Sequence, residues 1–291
     1  MQVVLHAGAH MTDEGRLPRC LGMNAELLAR YGTFVPDPGS QQKKMRDILN
    51  TALPAKERDA ARASLLRGMA SDMPHDRLVL SNAGFFGTPK MAAGQGGFYT
   101  AAEQRLTNLR GVFAHDEVEL FLAIRNPATF LPALLKKTGL SAMVDLVGGI
   151  EPSDLRWSQM LTRVRAACPD VAITVWCNED TPLIWAQIMR EMAGLEPTVT
   201  LEGEHALLSE IMTREGMKRF ESYLDGHPGM NEIQKRRVIA AFLDKFADEA
   251  EIEEELDVPG WTENLVDRLT EIYDEDVFDI QRLPGVNLIT P

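Results

Sequence analysis

The residues best placed to do chemistry lie in the run His6-Ala7-Gly8-Ala9-His10-Met11-Thr12-Asp13-Glu14-Gly15-Arg16, between the apolar Val3–Leu5 and a helical pattern that opens near Leu17. A strand, a tight loop and a helix start in this order can hold a phosphate. The first amides of a helix lack helical acceptors and sit at the positive end of its dipole. Gly8 permits the sharp turn, and Thr12 to Gly15 lie where the helix begins. The side chains are unusual for that task, because the loop has no Lys and two carboxylates that would repel a phosphate. Thr12, Asp13 and Glu14 equally suit the N-cap and first turn of any helix, where each negative charge contributes about 0.3–1 kcal/mol. His6 and His10 stand four apart, but on a strand and a loop rather than on one helical face, so no metal site is expected.

Two further segments carry polar groups to strand ends. In FLAIRNPATFLPALLKK a buried strand ends at Arg125 and a helix starts near Pro127. The Arg125 guanidinium can hold a phosphate by paired hydrogen bonds, or cap strand carbonyls and pair with an acid. In WCNEDTPLIW, Asn178, Glu179 and Asp180 lead into a helix, and capping accounts for them. No spacing selects a general base. His10, His75 and Glu179 are candidates because each lies near a predicted strand end. The segment from Ser81 to Thr100 carries five glycines just beyond another strand end, and reads as either an active-site lid or a surface loop.

Positioning these groups requires alternating strands and helices. Apolar runs at Val3–His6, Arg77–Ser81, Val118–Ile124 and Val171–Trp176 predict strands, and the stripes Leu106/Leu109/Val112/Phe113, Trp157/Leu161/Val164 and Ile184/Ile188/Met192 predict helices between and after them. This is an α/β chain: a three-layer α/β/α arrangement with a mostly parallel sheet. After about Pro197 the strand signal stops, so the expected division is an α/β core at 1–197 and a C-terminal helical extension at 198–291. Asn231 and Gln234 have the spacing of a capping box. Within the extension, the acidic run at 247–257 holds seven carboxylates and reads as a solvated face. The net charge of −13 argues against nucleic acid and anionic membranes as partners. No window is apolar enough to span a bilayer, and the first ten residues lack the long apolar core and basic flank of a secretory signal, which predicts a cytoplasmic protein. Cys20, Cys168 and Cys177 are expected as buried free thiols. Homodimerisation is expected only on general frequency.

The three segments together resemble the bacterial sulfotransferase-like branch of the phosphate-loop fold over most of residues 1–195. That family's first loop reads approximately G-x-H-K-T-G-T-T-x-L-Q after an I-H-I strand, and Leu5, His6, Gly8, His10, Thr12 and Leu17 match it in place. The stretch CLGMNAELLARYGTFVP looks like the family's first helix and following turn, the strand ending at Ser81 is similar to the segment that closes over the donor, and LAIRNP at Leu122–Pro127 resembles its R-x-P turn. The resemblance implies the nucleotide donor PAPS as co-substrate, no metal, and sulfuryl transfer to an unidentified hydroxyl or amine. It places the donor across Gly8, Ala9, His10, Met11, Thr12, Asp13, Glu14, Gly15 and Arg16, with Ser81 and with Arg125 on the 3′-phosphate. The family's Lys falls on Met11, its next Gly, Thr and Thr on Asp13, Glu14 and Gly15, and its Ser eight residues after the Arg on Ala133. Arg16 would replace the Lys if it folded back over the loop. The alternative is a catalytically inactive member that serves as a binding or assembly protein. A phosphate-loop kinase fits less well, because the Lys-Ser/Thr pair is absent.

Overall fold

A strand such as VELFLAI is apolar on both faces and can be buried only between two layers. The computed structural model, which describes residues 1–37, 39–40, 42–69, 74–252 and 257–291, places it at the middle of such a sandwich. Its strands are β1 (Gln2–His6), β2 (Thr33–Phe34), β3 (Arg77–Ser81), β4 (Ala93–Gly94), β5 (Gly97–Phe98), β6 (Glu117–Ile124), β7 (Ala172–Cys177) and β8 (Val286–Ile289). The main sheet runs β2-β3-β1-β6-β7-β8, parallel at every pairing, and β4-β5 is a separate antiparallel hairpin. The helices are α1 (Arg16–Met23), α2 (Ala25–Arg30), α3 (Gln42–Asn50), α4 (Ala55–Met69), α5 (Ala102–Val112), α6 (Pro127–Thr138) and α7 (Met143–Val147). They continue as α8 (Trp157–Ala167), α9 (Thr181–Ala193), α10 (Ala206–Ile211), α11 (Arg214–Asp225), α12 (Glu232–Phe246), α13 (Glu249–Ile252) and α14 (Glu263–Gln281).

Alternation along β1 assigns its residues to the two layers. Val3 and Leu5 pack with α3, α5, α6, α8 and α14, and Val4 packs with α1 and α9 on the other face. Each large apolar side chain buried in these layers stabilises the fold by about 1.5–3 kcal/mol. The four predicted strands and the three helical stripes are all present, the stripes face the core, and Asn231 with Gln234 forms the capping box at the start of α12. The three cysteines are buried and free. The register sets His6 beside Ser81 and Phe121, so the loops after β1, β3 and β6 leave from one carboxyl edge.

Two expectations need correction. The strand pattern does not end at Pro197: β8 pairs with β7 and extends the sheet, and α14 seals the same side with Tyr273 and Ile280. Four residues with Asn287 among them give too short an apolar alternation to stand out at a sheet edge. Among the described residues, α10, α11 and α12 build a separate small core, around Leu208, Met212 and Phe220. The Ser81–Thr100 segment is neither an open lid nor a loose loop. Phe86, Phe98 and Tyr99 are fully buried, and Phe98 stacks on Trp157 with ring centroids 4.1 Å apart. Its aromatic residues decide the packing, and its glycines only allow the turns between them. Residues 253–256 of the acidic run lie outside the described residues.

The side chain of Asp276 fastens α14 to the rest. It accepts hydrogen bonds from Trp157 N at 2.6 Å, from Ser158 N at 3.2 Å and from the Ser158 hydroxyl, at the first turn of α8. Replacing Asp276 by Ala leaves those donors buried without an acceptor, and is expected to cost about 2–3 kcal/mol. A urea midpoint lowered at unchanged slope checks this; an unchanged midpoint contradicts it.

Candidate functional site

Strand order reverses between β1 and β6, and open α/β sheets bind ligands in the crevice at that point. The crevice walls are the loop after β1 and the turn from β6 into α6. The first loop leaves β1 through Gly8 at φ 93°, has Met11 and Glu14 at φ 57° and 50°, and enters α1 through Gly15 at φ 81°. Such left-handed residues reverse the direction of successive amides, so the chain coils on itself before the helix starts.

Several of its polar groups are engaged within the protein, while the amides of residues 11–15 have no acceptor among the described residues. Ala9 N donates to Ala123 O at 2.9 Å, His10 N donates to the Tyr99 hydroxyl at 3.0 Å, and Thr12 Oγ1 donates to Ala9 O at 2.7 Å. The Asp13 carboxylate, only 9% exposed, accepts from Leu17 N at 3.1 Å, so the protein supplies its own anion at the start of α1. The Arg16 side chain is held by the protein's own acceptors. Its Nε donates to Glu210 at 2.7 Å, and its Nη1 lies 3.2 Å from Asp13 O and 3.6 Å from the Glu14 carboxylate.

Across the crevice, Arg125 is buried and turned inward. Its Nη1 donates to Met11 O, and its Nε donates to Thr129 Oγ1 at 3.1 Å. Asn126 caps α6 by accepting from Ala128 N at 2.9 Å, and Pro127 begins the helix, as its fixed φ allows. Glu179, which follows β7, accepts from Asn126 N at 2.8 Å and from the Tyr273 hydroxyl at 3.0 Å. Burial raises the Glu179 carboxyl above its usual value, and these two hydrogen bonds oppose the shift. Burial also raises Tyr273 well above the ordinary phenol and pushes Cys177 up to about 12. What remains open is a cavity of about 430 Å³ lined by Thr12, Asp13, Arg16, Asn126 and Glu179, with α10, α12 and α13 as its far wall. Its described lining has three carboxylates, Asp13, Glu179 and Glu251, against one cation, Arg16.

The crevice thus gathers Gly8 to Arg16, Arg125 and Glu179. Ser81 lies one strand away, where its Oγ pairs with His6 Nδ1 at 2.8 Å. Burial lowers the pKa of His6, which is 1% exposed, and the charge of Asp13 opposes the shift. His75 is not brought to the site. It precedes β3 and packs against Phe34, at the opposite edge of the sheet. Sequence reasoning missed Tyr99 and Tyr273, which reach the site from distant segments. It also missed a second, basic cavity beside β3, whose one signal was the Lys43, Lys44, Arg46 cluster. Among the described residues no group of His, Cys, Asp and Glu has a metal-binding arrangement, and no helix is long and apolar enough to cross a membrane. Neither a protein-family model nor a curated protein matches the chain.

His10 provides a pH test of this packing. Burial, aided by the charge of Lys137, lowers its pKa from 6.5 to about 4, and its Nδ1 lies 2.8 Å from the Tyr99 hydroxyl. The unfolded chain binds this proton near 6.5 and the folded chain only near 4, so the stability present above 6.5 is lost as pH falls between those values. The loss is on the order of 3 kcal/mol. Urea midpoints measured at several pH values should fall less steeply with acid in His10→Gln than in the unaltered protein, and identical slopes would contradict the assignment.

Proposed function

We propose that this chain is a catalytically inactive, ligand-binding member of the phosphate-loop architecture, whose first loop serves as a structural joint instead of a donor grip. One observation carries the reading: the Asp13 carboxylate accepts from Leu17 N at the helix start where a phosphosulfate would be held. A donor phosphate on the loop amides would lie beside this buried carboxylate and face the negative lining of the crevice. The two cations beside the loop are already used, Arg125 on Met11 O and Arg16 on Glu210. Sulfuryl transfer needs fixed positive charge where charge accumulates on the leaving oxygens, and removing such groups typically costs orders of magnitude in rate.

A second reading, sulfuryl transfer from PAPS to a hydroxyl or amine, has its own support. The amides of residues 11–15 have no hydrogen-bond acceptor among the described residues, and Glu179, with its raised pKa, borders the same cavity as a base. Isothermal titration with PAPS and with its product adenosine 3′,5′-bisphosphate separates the two. The expected result is no saturable heat at millimolar ligand, with binding gained in Met11→Lys combined with Asp13→Gly. Stoichiometric binding by the unaltered chain would overturn the first reading and support the second.

A further inference from the structure

The chain has 43 acidic residues against 30 basic ones, so a buried or half-buried cation ordinarily finds a carboxylate. Arg62, Arg77, Arg163 and Arg190 all do, at Asp116, Glu119, Glu103 and Glu232, with separations of 2.6–2.8 Å. One cleft departs from this pattern. It lies outside the carboxyl end of β3, between α3 and the residues that follow Ser81, and encloses about 830 Å³. Lys43, Lys44, Arg46 and Arg105 line it, and none of the four forms an ion pair among the described residues. Asp37 is the single carboxylate among its described lining residues.

The cations differ in setting. Lys43 and Arg46, three apart on α3, are exposed on the rim. Among the described residues Lys44 donates only to Ser64 O, at 3.1 Å. Arg105 reaches in from α5 and is held by neutral acceptors, Phe85 O at 3.1 Å and Asn50 Oδ1 at 2.8 Å. Burial lowers its pKa, the sign of a charge that the protein does not compensate. These two bonds fix the guanidinium's orientation before any ligand arrives. Met45, Leu49 and Phe85 form an apolar wall, and Ser81 and Asn82 add polar groups at the strand end. A cleft lined by one sign of charge concentrates the opposite sign, and this volume accommodates a ligand up to nucleotide size.

We propose that the cleft between α3 and the end of β3 binds a small molecule bearing two or more anionic groups, phosphate or carboxylate, on a body with an apolar face. Arg105 anchors one anionic group at the inner end, and Lys43 and Arg46 take another at the rim. The site is separate from the β1/β6 crevice and stands whatever binds there.

Isothermal titration of the full chain with fructose 1,6-bisphosphate, with citrate and with fructose tests it, and the first two distinguish phosphate from carboxylate. Saturable 1:1 binding of at least one anion is expected, with none of fructose. Lys43→Glu combined with Arg46→Glu should weaken binding about tenfold at unchanged melting temperature, because both side chains are exposed. Arg105→Met should weaken it at least as much. Silence from both anions at millimolar concentration overturns the proposal, as does binding that survives the rim substitutions but disappears on Arg16→Glu. A response to adenosine 3′,5′-bisphosphate that is insensitive to Lys43→Glu and Arg46→Glu would sink the proposed function while leaving this inference intact.

Discussion

The turn from β6 into α6 is the joint on which the rest of this structure depends. A parallel strand that ends in the middle of a sheet leaves main-chain groups to be satisfied where water is excluded. Here Trp157 Nε1 donates to Arg125 O at 2.9 Å, Glu179 accepts from Asn126 N at 2.8 Å, and Trp261 Nε1 donates to Ala128 O at 2.9 Å. Asn126 Nδ2 adds a bond to Thr270 Oγ1 at 2.9 Å. With Arg125 holding Met11 O, this turn ties together the first loop, α8, the end of β7 and α14. A segment so thoroughly bonded has little freedom left to reshape around a substrate.

The same economy explains why the crevice carries acids. Glu179 is needed there to accept from a main-chain amide and from Tyr273, and Asp13 is needed to cap α1. Each is a sound local solution to a backbone problem. Together they give the crevice a negative lining, while the uncompensated positive charge gathers beyond β3. Fold and electrostatics therefore point to different places on one sheet edge.

The sequence disclosed what repeats along it. Near-continuous apolar runs marked β1, β3, β6 and β7, and helical stripes marked α5, α8 and α9, because each buries a whole face. The capping box at Asn231 was legible for the opposite reason, since it is settled by two residues three apart. What stayed hidden depends on distant partners. Nothing near Tyr99 shows that its hydroxyl receives the amide of His10, and nothing near Arg125 shows that it turns inward to a carbonyl. His75 was singled out for nearness to a strand end alone, and it lies at the amino end of β3, whereas a parallel sheet opens its ligand edge at the carboxyl ends. β8 escaped notice because its partner strand, and not its own composition, makes it a strand.

That late strand has a consequence for how the chain is made. The ribosome delivers β7 long before β8, with the whole C-terminal helical segment between them. Until β8 and α14 arrive, the nascent chain presents β7 as an unprotected strand edge, with the hydrophobic surface beneath Tyr273 and Ile280 uncovered. Exposed edges of this kind recruit other chains, so the growing protein passes through an interval of vulnerability to aggregation that the finished one does not share.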